Sequence, residues 1–323
     1  MSDPLATPLG PGREFDRIRR MAERWRSVAR GLGDDCAFLE AGDAQLAVSI
    51  DLSIEDVHFR RAWLSPHEIG FRAVAAALSD LAAVAAEPLA VLLALGAPEN
   101  ESESTLHAVA DGVGEAVRQA GAAIVGGDLT RAPVLVVDCC VIGRTSAPVR
   151  RSGARPGNVL VVTGSLGGPR AALAAWQAGR EPSPDARHRF AHPEARHGAA
   201  KYLASLGARA MIDLSDGLGG DLLHLLAASG VGARLDADKV PIHPAAQREA
   251  RLAGEPAWAF AVRGGEDYEL LAALPAGVTE EVLRAAPVPV TVIGAVEEGR
   301  GARAFFHGVP VELPGGFDHY AGR

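Results

Sequence analysis

The sequence predicts an α/β protein, with α+β character, that folds as two domains. Segments typical of strands alternate with segments of helical periodicity along the whole chain. The length of 323 residues corresponds to about two average domains. A segment rich in Ser, Pro, Arg and Gly, Thr145–Pro156, separates the two halves. We therefore place an N-terminal mixed-sheet domain at residues 1–148 and a C-terminal α/β domain at residues 149–323.

The N-terminal half is predicted to contain four strands and two helices. Ser65, Pro66 and Glu68 are typical of a helix start, as N-cap, N1 and N3 residues, and this helix should run to about Ala86. A second helix has apolar residues at spacings of three and four and ends near Gly121. The apolar face of this second helix is formed by Leu106, Val109, Val113 and Val117. The predicted strands are Gln45–Asp51, Val91–Leu95, Ala122–Val125 and Val134–Ile142.

The C-terminal half repeats this alternation of strands and helices. It begins with a strand at Val159–Thr163, a glycine-rich turn at Gly164–Gly168 and a helix. The turn is a weak match to a dinucleotide fingerprint, and a tight strand-to-helix connection explains it better. A helix at Leu218–Ala228 and strands at Glu269–Leu274 and Val288–Ile293 follow.

Composition excludes several classes of function. The net charge of −8 and the pI near 5.7 argue against general nucleic-acid binding, which needs a basic surface. The most apolar stretch, Leu81–Pro98, contains Glu87 and Pro88 and is too short for a membrane span. The N-terminus lacks a signal-peptide pattern, and three cysteines form no disulfide framework. These features predict a reduced, cytoplasmic enzyme.

Acidic residues recur at the ends of the predicted elements. Asp80 is unusual because it lies inside a strongly apolar helix, where an unpaired carboxylate is costly to bury. Each of the others alone has an ordinary structural interpretation as a turn residue or a helix cap. They are Asp35 in a turn before a strand, Asp51 at a strand end, Asp128 after a strand, Asp213 and Asp216 ahead of a helix, and Glu266 after Gly264-Gly265.

Together these carboxylates predict a site for magnesium, which prefers oxygen ligands and completes its shell with water and phosphate. Such a site would let an acidic protein bind a polyphosphate. A P-loop is excluded, because neither Lys201 nor Lys239, the only lysines, follows a glycine.

Seven motifs resemble those of the thiamine-monophosphate kinases, part of the ATP-binding superfamily that includes aminoimidazole ribonucleotide synthetase. The resemblance extends over about residues 12–320, and the specificity lies in the order and spacing of the motifs. They are Gly33-Asp-Asp-Cys-Ala37, Ser49-Ile-Asp51 with Val57-His-Phe59, Ser79-Asp-Leu-Ala-Ala83, Gly126-Gly-Asp128, Arg151-Ser-Gly-Ala154 with Pro156-Gly157, Ile212-Asp-Leu-Ser-Asp-Gly-Leu218 and Gly264-Gly-Glu-Asp-Tyr-Glu269.

The resemblance implies transfer of phosphate from ATP to thiamine monophosphate, with several Mg²⁺ ions, in a homodimer whose N-terminal halves pack their sheets together. The positions that match metal ligands are Asp35, Ser49, Asp51, Asp80, Asp128, Asp213 and Asp216. Those that match nucleotide contacts are Gly127, Asp128, Arg151 and Ser215, and those that match contacts to the thiamine phosphate are His58, Glu266 and Phe317.

The residue types agree with these implied roles. Arg151 offers permanently charged planar donors for phosphate oxygens, and Ser215 precedes a helix, where backbone N–H groups favour anions. Phe317 offers an aromatic face to a cation. As structural alternatives, His58 could be a half-buried strand residue and Phe317 a packing anchor. Two departures from the family pattern, Ile50 and Leu129, lie next to implied metal ligands.

Rival functions are distinguished by a few residues. No cysteine precedes Cys36 and no lysine precedes Lys201, against selenophosphate synthetase, and the chain ends without the C-terminal cysteine of the hydrogenase-maturation relatives. Another synthetase of the superfamily, or a non-catalytic nucleotide-binding regulator on the same scaffold, stays open. For the kinase we expect direct transfer without a general base.

Overall fold

A computed structural model describes residues 7–320. Its first half contains α1 (Arg13–Arg24), β1 (Ala37–Ala41), β2 (Ala44–Ile54), α2 (Pro66–Ala83), β3 (Glu87–Ala97), α3 (Glu103–Gln119), β4 (Ala123–Arg131) and β5 (Val136–Thr145). Its second half contains β6 (Val159–Thr163), α4 (Gly168–Gln177), α5 (Pro184–Ala191), α6 (His197–Ser205), β7 (Ala210–Asp213), α7 (Leu218–Ser229), β8 (Gly232–Asp236), α8 (Pro244–Ala253), α9 (Ala257–Val262), β9 (Leu270–Leu274), α10 (Glu280–Arg284), β10 (Val290–Glu297), β11 (Gly301–Phe306) and β12 (Val309–Val311).

Two mixed sheets organise these elements and confirm the predicted α/β fold class. The first sheet has the order β1-β2-β5-β3-β4, in which only the β3–β4 pair is parallel. The second has the order β12-β11-β8-β10-β6-β9-β7, in which only the β8–β11 pair is parallel. Among the described residues, no helix is long and apolar enough to cross a bilayer.

Helix α2 lies at the junction of the two sheets. Its start follows the predicted capping box: Ser65 Oγ accepts from the Glu68 N–H, and Glu68 Oε2 accepts from the Ser65 N–H at 2.8 Å. Nearly every residue of the helix is buried, because it packs on β2 and β5 on one side and on β7 and α6 on the other. The helix ends at Ala83 rather than near Ala86, since the chain turns at Ala85 with φ +54°.

Small residues bring α2 and α3 unusually close together. A Cβ at Gly70 would lie 2.1 Å from the Val109 carbonyl oxygen, and one at Gly112 would lie 1.9 Å from that of His67. Both positions therefore exclude any side chain. This tight packing fixes α2, and hence Asp80 near its C-terminal end, against the first sheet.

The first sheet has a covered face and an open face. Alternation along β5 buries Cys139 under α2 and turns Cys140 to the open face, as expected for adjacent strand residues. Leu39, Ile50 and Leu52 lie on the open face and are 57%, 68% and 43% exposed. This open face therefore presents apolar side chains to solvent.

Two sequence predictions about strand ends were wrong. Asp51 does not end a strand: β2 continues to Ile54, because its pairing with β5 continues through Ile54 and Val136. Asp128 does not follow a strand but lies inside β4, which stays paired with β3 as far as Arg131. In both strands, backbone pairing continues past a charged side chain.

Candidate active site

Three carboxylates meet where the two sheets come together. Asp35 precedes β1, Asp80 lies on α2 and Asp213 is the last residue of β7. One ligand oxygen from each lies within 4.8 Å of the others. Asp35 and Asp213 are buried, whereas Asp80 keeps partial exposure. The cluster therefore combines residues from both halves of the chain.

Each carboxylate of this cluster has a polar partner. Ser49 Oγ donates to Asp80 Oδ2 at 2.5 Å, and Ser79 Oγ donates to Asp213 Oδ2 at 2.7 Å. Arg151 donates to both oxygens of Asp35, from Nε at 3.0 Å and from Nη2 at 2.7 Å. These contacts orient the three carboxylates, but only Arg151 brings a compensating charge.

The electrostatics of the cluster fit a bound cation. Burial, together with the nearby carboxylates of Asp213 and Asp35, raises the pKa of Asp80 well above its usual value. Burial and Asp35 likewise raise the pKa of Asp213 to about 7. Converging oxygen ligands with excess negative charge are what Mg²⁺ or Mn²⁺ requires. The residues present therefore fit the metal that the sequence predicted.

This arrangement predicts that magnesium stabilises the protein more at high pH than at low pH. An aspartate titrates near pH 3.9 when unfolded, so the raised pKa of Asp213 means that metal-free stability falls as pH rises from about 4 to about 7. A cation that replaces the proton removes this loss. Thermal melting should show a larger gain in Tm from Mg²⁺ at about pH 8 than at about pH 5. An equal gain at both pH values would contradict the assignment.

Asp51 and Asp216 extend the acidic region beyond this cluster. Burial and the Glu266 carboxylate raise the pKa of Asp51 to about 6. Burial and the carboxylates of Glu14 and Glu266 raise the pKa of Asp216 to about 7. Both carboxyls thus lie in the same negative field. The structure gives no compact ligand group that includes either of them within the described residues.

The loop between β7 and α7 is organised by Asp221, which the sequence analysis did not single out. Its buried carboxylate accepts from the backbone N–H groups of Gly217 at 2.9 Å and Asp216 at 3.2 Å. The exposed Ser215 precedes these residues. An aspartate in the first turn of a helix after an Asp-Gly pair was the available signal.

Of the three residues expected to contact thiamine phosphate, His58 lies close enough to Glu266 to be influenced by its charge, and Phe317 contacts the loop that contains Asp216. His58 Nδ1 accepts from the Ile54 N–H at 3.1 Å, and its ring is 5.2 Å from that of His319. The ring of Phe317 is 4.9 Å from His319 and 57% exposed, so it does not act as a packing anchor. The Phe317 N–H donates to the Asp216 carbonyl at 2.8 Å, which connects this residue to the acidic loop.

Gly127 and Asp128 lie apart from the other predicted residues. Strands β5 and β3 separate β4 from β2, and neighbouring strands are about 4.8 Å apart, so Asp128 lies on the order of 14 Å across the sheet from Asp51. Asp128 is paired across the strands with Ala94, and Ala94 with Asp138, so Asp128 lies on the open face with them. Asp51 is paired with Cys139 and lies on the covered face. An open-face pocket of about 180 Å³ is lined in part by Leu52, Ala94, Asp128 and Asp138, whereas Asp51 and Cys139 do not line it.

Comparison with known proteins places the chain among its relatives. The family described as AIR synthase related protein, N-terminal domain, matches residues 33–145, and the corresponding C-terminal domain family matches residues 155–307. Thiamine-monophosphate kinase of Mycobacterium tuberculosis is 38% identical over 285 residues, 85% of this chain and 84% of that protein. The chain belongs to the thiamine-monophosphate kinase family.

Other members of the thiamine-monophosphate kinase family agree over almost the full length. The enzyme of Salmonella typhimurium is 37% identical over 328 residues, which cover 95% of this chain and 98% of that protein. The solved structure of AaThiL complexed with AMPPCP and TMP has a TM-score of 0.85 at 32% identity, covering 96% of this chain and 97% of that chain. The chain is thus similar to thiamine-phosphate kinases in sequence and in fold.

Proposed function

We propose that this protein uses ATP and magnesium to phosphorylate thiamine monophosphate, giving thiamine diphosphate. The observation that carries the proposal is the cluster of Asp35, Asp80 and Asp213, built across the two halves of the chain. Membership of the kinase family, and a structural neighbour complexed with AMPPCP and TMP, support the two ligands. We place its two domains at residues 1–148 and 149–323. The three cysteines of the protein are free, which suits a reduced cytoplasmic setting.

The acidic residues and Ser49 would hold the metal. The set comprises the carboxylates of Asp35, Asp51, Asp80, Asp213 and Asp216 and the hydroxyl of Ser49, and Asp128 is a further candidate ligand. When bound, Mg²⁺ would supply positive charge to offset the phosphates. Arg151, which is held by Asp35, would add donors for the phosphate oxygens, and Ser215 would contact the nucleotide. Gly127, which lies beside Asp128 and apart from these residues, would contact the nucleotide of a partner subunit.

The acceptor would bind between Glu266, His58 and Phe317. The exposed ring of Phe317 offers a face to the cationic thiazolium of thiamine, and Glu266 offers a complementary negative charge. This combination favours an acceptor with a cationic aromatic group over a simple sugar or alcohol.

The chemistry of the acceptor explains why no base is required. A phosphate monoester has a second pKa of about 6, so its oxygen is mostly anionic near neutral pH. Two unit charges about 4 Å apart repel by roughly 4 kcal/mol at an effective dielectric of about 20. The main task of the site is therefore to position the two phosphates and offset their charge.

We expect His58→Gln to retain most of kcat. The Ile54 N–H occupies the Nδ1 lone pair, so the proton of the neutral ring lies on Nε2, which can then only donate a hydrogen bond and cannot accept a proton. Burial lowers the pKa of His58, which favours this neutral form. The variant should raise KM for thiamine monophosphate with less than about a tenfold loss of kcat. A loss of several orders of magnitude restored at higher pH, or a phosphoenzyme labelled by ATP alone, would contradict direct transfer.

We also propose that the protein is a homodimer formed through the open face of the first sheet. Leu39, Ile50 and Leu52 expose apolar surface there, which is unfavourable in a monomer. Light scattering should show a dimer at micromolar concentration, and Leu52→Arg should dissociate it. Exposed Val309→Arg, on β12 of the second sheet, is the matched control. A stable wild-type monomer would contradict the proposal.

The position of Asp128 gives this dimer a functional consequence. Because Asp128 is too far from Asp51 to share a metal with it in one subunit, its proposed role as a ligand requires the site of the partner. Mixed dimers of Asp80→Asn and Asp128→Asn subunits should then recover activity that each homodimer lacks. If the mixed dimers stay inactive, Asp128 does not act across the interface.

An assay of ADP release, with mass analysis of the product, tests the proposed function. Thiamine monophosphate should support turnover, whereas thiamine and unrelated phosphate monoesters should not. Nucleotide binding without turnover would favour a regulator, and turnover with a different acceptor would favour another synthetase of the superfamily.

A further inference from the structure

One oxygen of the Glu266 carboxylate is held by two buried side chains. Arg72 Nη2 donates to Glu266 Oε2, and Tyr268 Oη donates to the same oxygen at 2.6 Å. No residue among 7–320 donates a hydrogen bond to the other oxygen, Oε1. The Glu266 side chain is 24% exposed, so this oxygen is the part of the group available to a ligand.

Arg72 is itself held in place from two directions. It lies on α2, is 4% exposed, and donates from Nη1 to the Phe190 carbonyl at 2.5 Å. Its guanidinium lies 3.9 Å from the centroid of the Phe190 ring. A planar guanidinium fixed by a carbonyl and an aromatic ring presents its Nη2 donors in one direction. Glu266 lies in that direction.

The backbone around Glu266 is also constrained. Glu266 and Tyr268 have φ values of +69° and +50°, which side-chain-bearing residues rarely adopt. The Glu266 N–H donates to the Ser215 carbonyl at 2.7 Å, and the Tyr268 N–H donates to that of Leu214 at 2.9 Å. Such strained residues persist where the surroundings over-determine them, often at ligand sites.

We propose that Arg72 and Tyr268 are positioning residues that hold Glu266 so that Oε1 contacts the acceptor. This inference rests on the proposed function, and it adds two residues that determine acceptor affinity. By taking Oε2, the pair leaves a single carboxylate oxygen for an N–H donor or cationic group of the acceptor. The hydrogen bonds from Arg72 and Tyr268 to Glu266 are formed before the acceptor binds, which reduces the entropy lost in ordering Glu266 on binding.

Steady-state kinetics with each substrate varied separately test the proposal. A hydrogen bond to a charged group contributes about 1.5–3 kcal/mol, so Arg72→Gln should raise KM for thiamine monophosphate about tenfold or more. Tyr268→Phe, which removes only the hydroxyl, should raise it about threefold or more. In both variants, KM for ATP should stay within about twofold of wild type.

A double-mutant cycle separates positioning from general structural support. If Arg72 and Tyr268 act through Glu266, adding either change to Glu266→Gln should raise the acceptor KM no further. Arg187→Gln removes another arginine–glutamate pair, in which Arg187 on α5 contacts Glu68 on α2 at 2.6 Å, and it should leave both KM values unchanged. If Arg72→Gln does not fold, the Tyr268→Phe and Glu266→Gln cycle decides the question.

The outcomes distinguish this inference from the function on which it rests. Additive effects, equal changes in both KM values, or an unchanged acceptor KM would overturn the positioning role while leaving the kinase activity intact. Absence of turnover by the wild-type protein would overturn the proposed function and this inference with it.

Discussion

Asp80→Asn should lower kcat by about 10²–10³-fold or more while the protein stays folded. The change keeps the shape of the side chain but removes one of three carboxylates that lie within 4.8 Å of one another. Because the pKa of Asp80 is raised by burial and by Asp213, its charge is unfavourable in the metal-free protein. The variant should therefore melt no lower than wild type in EDTA, and it should lose most of the stabilisation by Mg²⁺.

A surface aspartate provides the matched control. Asp111→Asn on α3 removes the same charge at an exposed position and should change neither kcat nor the response to Mg²⁺. Near wild-type activity of Asp80→Asn at limiting magnesium would show that Asp80 is not a metal ligand. Unfolding of the variant in EDTA would instead show that its charge stabilises the fold.

Arg151→Gln should have the second largest effect, through both activity and stability. Arg151 is the cation that contacts the cluster directly, with two hydrogen bonds to Asp35. Its loss leaves buried carboxylates without compensation, which typically costs several kcal/mol. We expect a lower Tm in EDTA, partly restored by Mg²⁺, and a fall in kcat/KM for ATP of about 10²-fold or more.

Two variants define the limits of this expectation. Arg151→Lys keeps the charge but not the planar pair of donors, so it should restore stability better than activity. Exposed Arg155→Gln, in the same connecting segment, should match wild type in both measurements. An Arg151→Gln protein with unchanged KM for ATP would remove Arg151 from the nucleotide site.

The sequence predicted the central elements of the fold and, among the acidic residues, the three that converge, Asp35, Asp80 and Asp213. The capping box at Ser65 predicted α2, and the apolar surroundings of Asp80 pointed to a buried charge in need of partners. The helix predicted to begin at Leu218, with Asp213 and Asp216 ahead of it, is confirmed as α7. These features depend on local patterns, which a single sequence displays.

Features that depend on long-range pairing could not be predicted. Arg72 contacts Phe190 and Glu266, which are 118 and 194 residues away along the chain, so nothing local distinguishes this arginine. The distance of Asp128 from Asp51 depends on the position of β5, which pairs between β2 and β3 although it follows both strands in the sequence. Helix α1 was not predicted, although Phe15, Ile18 and Ala22 recur at the helical spacings of three and four among its charged residues.

The most direct test of the central claim is to locate bound metal at the acidic cluster. Crystals grown with Mn²⁺, a non-hydrolysable ATP analogue and thiamine monophosphate would show the metal by its anomalous scattering. We predict anomalous peaks at coordination distance from Asp35, Asp80 and Asp213, between those carboxylates and the nucleotide phosphates. Nucleotide bound without metal at these residues, or metal bound only elsewhere, would contradict the account.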